Sequence, residues 1–318
     1  MNSRQKNWIW FIAILSLIVG AGTYLVKSRR VELGKSFTYS VDDYRQVDPS
    51  LIRYTEVDPI IPTLGKLSAL ALAPSGQLVV GGENGIKIFP MIGKKQQAPT
   101  QSVPRVGNPS CLAVDDEGTV FAGMLDHVEV FAKGENPSVW PSPSPKAYLT
   151  SVAVDDNFVF VADAGSRCIW RYPKEGGEPL KIEGERAFNI PSPFFDLDIG
   201  TDGSLWVVNP GYHAFENMRQ DGTLISSWER SSFRIDGFSG CCNPANFSLM
   251  PDGSFLTAEK GLPRVKIHNL DGSLRCVVAA PDQFDDGVTG LDVAVDDAGR
   301  IYVLDPARNQ VRIFEEKK

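Results

Sequence analysis

The stretch TGLDVAVDDAGRIYVLDPARNQVRIF, residues 289–314, contains the unit from which most of the chain can be read. DVAV is a short apolar run. The acidic-glycine turn DDAGR follows, then a second apolar run, IYVL. After the loop DPARN comes QVRIF, in which apolar and polar residues alternate. Apolar run, tight turn, apolar run, short loop and a period-two run is the grammar of three antiparallel strands.

The same grammar recurs five more times after residue 66. The copies are LSALALAPSGQLVVGGENGIKIFP (67–90), PSCLAVDDEGTVFAGMLDHVEVFA (109–132) and LTSVAVDDNFVFVADAGSRCIWRYP (149–173), followed by segments opening at Pro193 and Asn243. Gly76, Gly118, Gly203, Gly253 and Gly299 mark the first turn in five copies. In the third, Asn157 is expected at that left-handed position. Gly76 to Gly118 is 42 residues and Gly253 to Gly299 is 46, a period of propeller blades. The third strands read GIKIF, HVEVF, CIWRY, RVKIH and QVRIF. Most copies add a second turn such as KEGGE, QDGT or LDGS and a fourth strand. Outside the first thirty residues no run shows sustained helical periodicity.

The sixth copy ends after its third strand, because the chain ends at VRIFEEKK. A closed ring needs one more outer strand, and residues 51–60, LIRYTEVDPI, have strand composition. They are expected to complete the last blade and remove an exposed edge. The fold class expected is all-β, a six-bladed β-propeller preceded by one N-terminal transmembrane helix. Residues 1–30 would be the anchor with basic flanks, 31–48 a polar tether, and 49–318 the propeller.

The repeats resemble the NHL repeat, whose pattern runs apolar-Ala-Val-Asp, turn glycine, YVAD, a basic residue, then I-x-V-F. The last and third copies match it best, and the resemblance extends over about residues 50–318. It implies a six-bladed ring of the NHL and gluconolactonase-like kind. Such rings host lyases, lactonases and binding modules, so the resemblance is specific for fold and not for activity.

The run WIWFIAILSLIVGAGTYLV, residues 8–26, has 19 residues and no charge. As a helix it would measure about 28 Å, close to the thickness of bilayer hydrocarbon. Its apolar length exceeds that of a signal-peptide core, and it ends in KSRR, so an uncleaved anchor is favoured over a cleaved leader. Lys and Arg flank both ends. The positive-inside count slightly favours a cytoplasmic body, whereas the layout of a short tail and one apolar segment favours export. The expectation is a membrane-anchored protein with its propeller on the extracytoplasmic side. The net charge is −7 and the first thirty residues contribute +5, so the remaining chain carries −12. That acidic body argues against nucleic acid as a partner.

Aligning the first strands puts Ala69, Cys111, Ser151, Asp196, Asn246 and Asp292 in one column. First strands line the channel of a propeller. If this parity faces inward, Asp196, Asn246 and Asp292 converge from three consecutive blades. Two carboxylates and an amide oxygen suit Ca2+ or another divalent cation. Gluconolactonase-like enzymes use a set of this kind, but no acid occupies the first blade's position here, and NPAN departs from their asparagine-glycine strand start. The competing reading is a wet channel whose polar groups bond one another and water.

The loop GFSGCCNPAN, residues 237–246, places Cys241 and Cys242 beside the channel mouth on the same reasoning. Tyr212, His213, Glu259, Lys260, Arg264 and Arg308 are expected around them. Cys241, Cys242, Tyr212, Arg264 and Arg308 are the candidate ligand-binding residues, and His213 and Lys260 the candidate catalytic ones. Four states remain open for the pair: buried or free thiols, a bond to another cysteine, a vicinal disulfide, or a metal-binding or reactive site. Cys111, Cys168 and Cys276 lie within strands, where cysteine behaves as a small hydrophobe. Asp163 and Asp305 occupy the VAD and VLD slots, where a carboxylate ties its own loop. His127 and His268 are expected to be exposed or locally packed. Residues 139–148, VWPSPSPKAY, read as a surface loop. No haem, zinc-protease, phosphate-loop or Gly-x-Ser-x-Gly motif is present. Two functions follow: a membrane-tethered module binding a protein or saccharide on its upper face, or a cation-dependent lyase or lactonase at the channel mouth.

Overall fold

The computed structural model describes residues 2–28, 41–90, 98–103 and 107–318. Its contacts divide the chain into two units, residues 1–43 and 44–318. In the first, a 26-residue helix, Ser3–Ser28, takes up the uncharged run. Among the described residues no helix is long and apolar enough to cross a membrane. Residues 31–40 of the expected tether, with the last two of the expected anchor, lie outside the described residues.

The second unit is six four-stranded antiparallel sheets. Five are built from consecutive strands, as repeats with tight turns dictate. Their inner strands are Leu67–Leu72, Cys111–Val114, Leu149–Val154, Leu197–Ile199 and Asn246–Leu249. The sixth blade runs Asp292–Val295, Ile301–Asp305, Gln310–Glu316 and then Tyr54–Ile60 as its outer strand. The register Tyr54↔Glu316 to Val57↔Ile313 joins the start of the ring to its end. The completing strand begins three residues later than the sequence suggested, because Pro49–Leu51 form a 3-10 turn under an Asp48 cap.

Burial follows the blades. Six apolar clusters each lie between neighbours, and the one around Ile60, Leu70, Leu304 and Ile313 seals the sixth blade against the first. The turn glycines behave as read: Gly76, Gly118, Gly203, Gly253 and Gly299 all have φ between 78° and 82°. Asn157 does not, and that expectation is corrected. The third copy is one residue shorter at this turn. There the Asp155 carboxylate accepts the N–H of Asn157 (2.8 Å) and of Phe158 (2.7 Å), so no left-handed residue is needed.

Candidate functional site

A cavity of about 620 Å³ runs along the ring axis and is lined by the inner strands of all six blades. Lys66, Asn108, Tyr148, Phe194 and Thr289, from segments entering the blades, line it together with Pro306 from the loop between Ile301–Asp305 and Gln310–Glu316. Asp196, Asn246 and Asp292 all line it, so the aligned column does face the tunnel.

The column also joins the blades. Ser151 Oγ lies 3.3 Å from the Leu197 backbone, and Asp196 Oδ2 accepts the Phe247 N–H at 2.6 Å. Asn246 Nδ2 donates to Leu291 O at 2.7 Å, and Asp292 Oδ2 accepts the Leu70 N–H at 2.9 Å. Each polar member therefore holds a backbone group of the next blade. Asp198, two residues on, repeats the contact with the Leu249 N–H at 2.8 Å. Ala69 and Cys111 have no side chain able to do so in the same way.

These contacts engage the groups that a shared cation would use. The second oxygen of Asp196 accepts the Leu197 N–H and that of Asp292 the Val293 N–H, both at 2.9 Å. Asn246 turns its amide nitrogen to a carbonyl. Among the described residues no group of three or more His, Cys, Asp or Glu could hold a metal ion. A shared cation would have to compete with these backbone partners. Burial pushes the Asp196 carboxyl up to about 8 against the pull of Ser151 and the Phe247 N–H, and Asp292 up to about 6. The tunnel's acids are thus pinned in place by backbone N–H groups.

At the mouth the Cys241–Cys242 loop is held by Asn243. Its Nδ2 donates to Ser239 O (2.7 Å) and Lys260 O (3.0 Å), and its Oδ1 accepts the Lys260 N–H at 3.0 Å. His213, in a left-handed conformation, places Nδ1 2.9 Å from Asn243 O. The two cysteines are free thiols, Cys241 exposed and Cys242 buried, with sulfurs 3.2 Å apart. Ser192 Oγ donates to Cys242 Sγ at 3.0 Å, and Lys260 Nζ donates to Ser192 Oγ at 2.6 Å. Lys260 Nζ also sits 4.3 Å from the centroid of the Phe194 ring. Burial alone would raise the Cys242 thiol, but hydrogen bonds from Lys260, Ser192 and Cys241 outweigh it and hold it below the ordinary thiol value.

The structure therefore unites Cys241, Cys242, Lys260 and His213 around one loop. Arg264, Arg308 and Tyr212 have partners of their own apart from that loop's thiols. Arg264 is fully buried: it pairs with Glu259 and donates to the carbonyls of Phe233, Arg234 and Gly237, so it clamps a loop. Arg308 pairs with Asp285 at 2.9 Å. Tyr212 lies against the Arg186 guanidinium, 3.2 Å from its ring centroid. Sequence reasoning missed Ser192 and Phe194, which stand on the PSPFF segment entering the fourth blade. Their position just before the aligned column was the available signal. Asp163 ties its own loop, accepting from Tyr148 N, Ser166 N and Trp170 Nε1, as expected.

No protein-family model matches the chain, and no curated protein matches it. Solved structures do. A streptogramin B lyase matches with a TM-score of 0.57 at 11% identity, over 85% of this chain and 90% of that one. A virginiamycin B lyase from Staphylococcus aureus gives 0.56 at 13%, over 83% and 88%. The WD40 propeller domain of Doa1 gives 0.54 at 18%, over 79% of each chain. At such identity the likeness shows the fold, and the chain is a six-bladed β-propeller.

Proposed function

We propose that this chain is an NHL-type propeller tethered to a membrane through residues 8–26, acting as a binding module that takes a protein or saccharide segment at its tunnel mouth. The observation behind this reading is the axial cavity. It is large enough for a side chain or a small sugar, has Tyr148 and Phe194 at its rim, and has acids engaged with backbone rather than converging on a reacting centre. For the tether, Trp8, Trp10, Leu17 and Ile18 are all more than 60% exposed on the Ser3–Ser28 helix. Such apolar surface calls for an apolar partner. The propeller is assigned to the extracytoplasmic side, and a reporter fused after Lys318 tests this: activity of a cytoplasm-only reporter overturns it.

The binding test uses the full chain in detergent. Its melting is followed against a panel of oligosaccharides and of host-membrane extracellular peptides, with Tyr148→Ala and Phe194→Ala beside the native protein. A ligand that raises the melting temperature of the native chain but of neither variant supports the reading. A ligand whose effect survives both changes removes the mouth as its site.

The second reading, a cation-dependent lyase or lactonase with His213 or Lys260 moving the proton, draws on one observation. Asp196, Asn246 and Asp292 line the same cavity from three consecutive blades. It requires Asp196, Asn246 and Asp292 to release their backbone partners and take up metal. Stoichiometric divalent metal in the purified chain, lost in Asp292→Ala, would establish it over the binding reading.

A further inference from the structure

The thiol pair stands out from the other cysteines. Cys111 and Cys168 are buried in strands with their thiols pushed up to about 12, and Cys276 to about 11, so they stay protonated and inert. Cys242 has the opposite environment. Its sulfur accepts from Ser192, whose hydroxyl accepts in turn from the Lys260 ammonium, and a second sulfur lies at van der Waals contact. The ammonium is fixed by the Phe194 ring and by the backbone bond from Lys260 to Asn243. The Cys242 sulfur thus has a hydroxyl donor, an ammonium one hydrogen bond further on, and a second sulfur beside it.

We propose that Cys242 is a peroxide-reactive thiolate and Cys241 its resolving partner, so that the loop reduces small hydroperoxides while closing to a vicinal disulfide. Only 3% of Cys242 is exposed, which selects an oxidant of the size of hydrogen peroxide over larger electrophiles. The Cys242 sulfur attacks the distal peroxide oxygen. An S–O bond forms as the O–O bond breaks, and the departing oxygen takes a proton from Lys260 through the Ser192 hydroxyl. The product is a sulfenic acid and an alcohol, or water when the oxidant is hydrogen peroxide. The Cys241 sulfur then attacks the sulfenic sulfur. An S–S bond forms, the S–O bond breaks, and the hydroxyl leaves with the Cys241 proton as water. Two thiols lose two electrons in all and the hydroperoxide gains them. Lys260 recovers its proton from solvent, and a small thiol returns the pair to its reduced state. Ser192 adjoins Pro193 and Phe194, which line the tunnel, so the reaction occurs beside the proposed binding mouth without depending on it.

The test treats the full chain in detergent with one equivalent of hydrogen peroxide, then alkylates and digests it with trypsin. The peptide 235–260 is expected lighter by two hydrogens, with both cysteines protected until reduction, while Cys111, Cys168 and Cys276 remain alkylated. Lys260→Met slows the loss of thiols severalfold by removing the ammonium that favours the thiolate, and Lys260→Arg restores most of the rate. Ser192→Ala also slows it, which keeps the test open if Lys260→Met fails to fold. Cys241→Ser stops at a sulfenic acid that a 1,3-dione captures on Cys242. The proposal falls if Cys241 and Cys242 oxidise no faster than Cys276, if either pairs with a different cysteine, or if Lys260→Met and Ser192→Ala both react at the native rate.

Discussion

Asp292 Oδ2 accepts the backbone N–H of Leu70 at 2.9 Å across 222 residues of sequence, joining the innermost strand of the last blade to that of the first. Leu70 is buried, so without this acceptor its N–H would lose its protein partner. Asp292→Ala is therefore expected to lower stability by about 1–3 kcal/mol, the cost of an orphaned buried donor. Asp292→Asn, which keeps one acceptor oxygen, should cost less. Denaturant unfolding of the three proteins checks the order, and equal stability of all three would refute a structural role at this seam.

The seam also shows how far the sequence could be read. Strand, turn and repeat were legible because each depends on a local rule: period-two alternation in QVRIF, and a left-handed glycine at Gly299. Closure by residues 51–60 followed from counting strands. The column of Asp196, Asn246 and Asp292 was legible as one register, but neither its inward parity nor its blade-to-blade bonding was, because its partners Phe247, Leu291 and Leu70 offer backbone groups that no residue type announces. Arg264 was misplaced for a related reason. A basic residue in a strand-start loop reads as solvent-facing unless the acid and carbonyls that bury it are known, and those come from Glu259 and residues 233–237. Ser192 acquired its importance only from folding, which set it against Cys242, fifty residues away.

Asp196 gives the tunnel a pH dependence whose sign can be worked out. Its folded carboxyl lies at about 8 against an ordinary 3.8, through burial first, with Asp292 and Asp198 adding repulsion. The folded state then binds more protons than the unfolded state between those values. Stability is lost as pH rises through that window and levels off above it. His268, pushed down to about 3 chiefly by burial, has the opposite slope between about 3 and 6.5. The informative quantity is thus the difference between native protein and Asp196→Asn. That difference should fall steadily from pH 4 to pH 8, measured by denaturant unfolding in matched buffers. A flat difference would show that the carboxyl ionises normally.

Glu259 is fully buried between Arg264 and Lys266, at 2.6 Å and 2.8 Å. The two cations also donate to the carbonyls of Phe233, Arg234, Ile235 and Gly237, fixing the loop that precedes the thiol pair. Glu259→Gln leaves two buried cations without their counter-charge and should cost about 3–5 kcal/mol. The loop should open as well, and limited trypsin digestion at Arg230 or Arg234 would report it as faster cleavage under native conditions. Unchanged cleavage would mean that the carbonyls alone hold the loop.

The outer closure of the ring depends on an ion pair between its two ends. Arg312 is 1% exposed, and its Nε and Nη2 donate to the two Glu56 oxygens at 2.8 Å and 2.6 Å, a bidentate fork across 256 residues. The first residues of the ring are held to its last strand by this fork and by the strand pairing of Tyr54–Ile60. Glu56→Ala leaves Arg312 with the Gln283 carbonyl at 3.0 Å and Asp305 at 3.6 Å, so part of its compensation survives. A loss of about 1–3 kcal/mol is expected, smaller than for Glu259→Gln because Glu56 is partly exposed. Hydrogen exchange should show the loss locally, with Tyr54–Ile60 exchanging faster while the inner strands keep native protection. Uniformly faster exchange across all six blades would instead mean that the ring opens as one cooperative unit, and that this outer strand has no separate stability to lose.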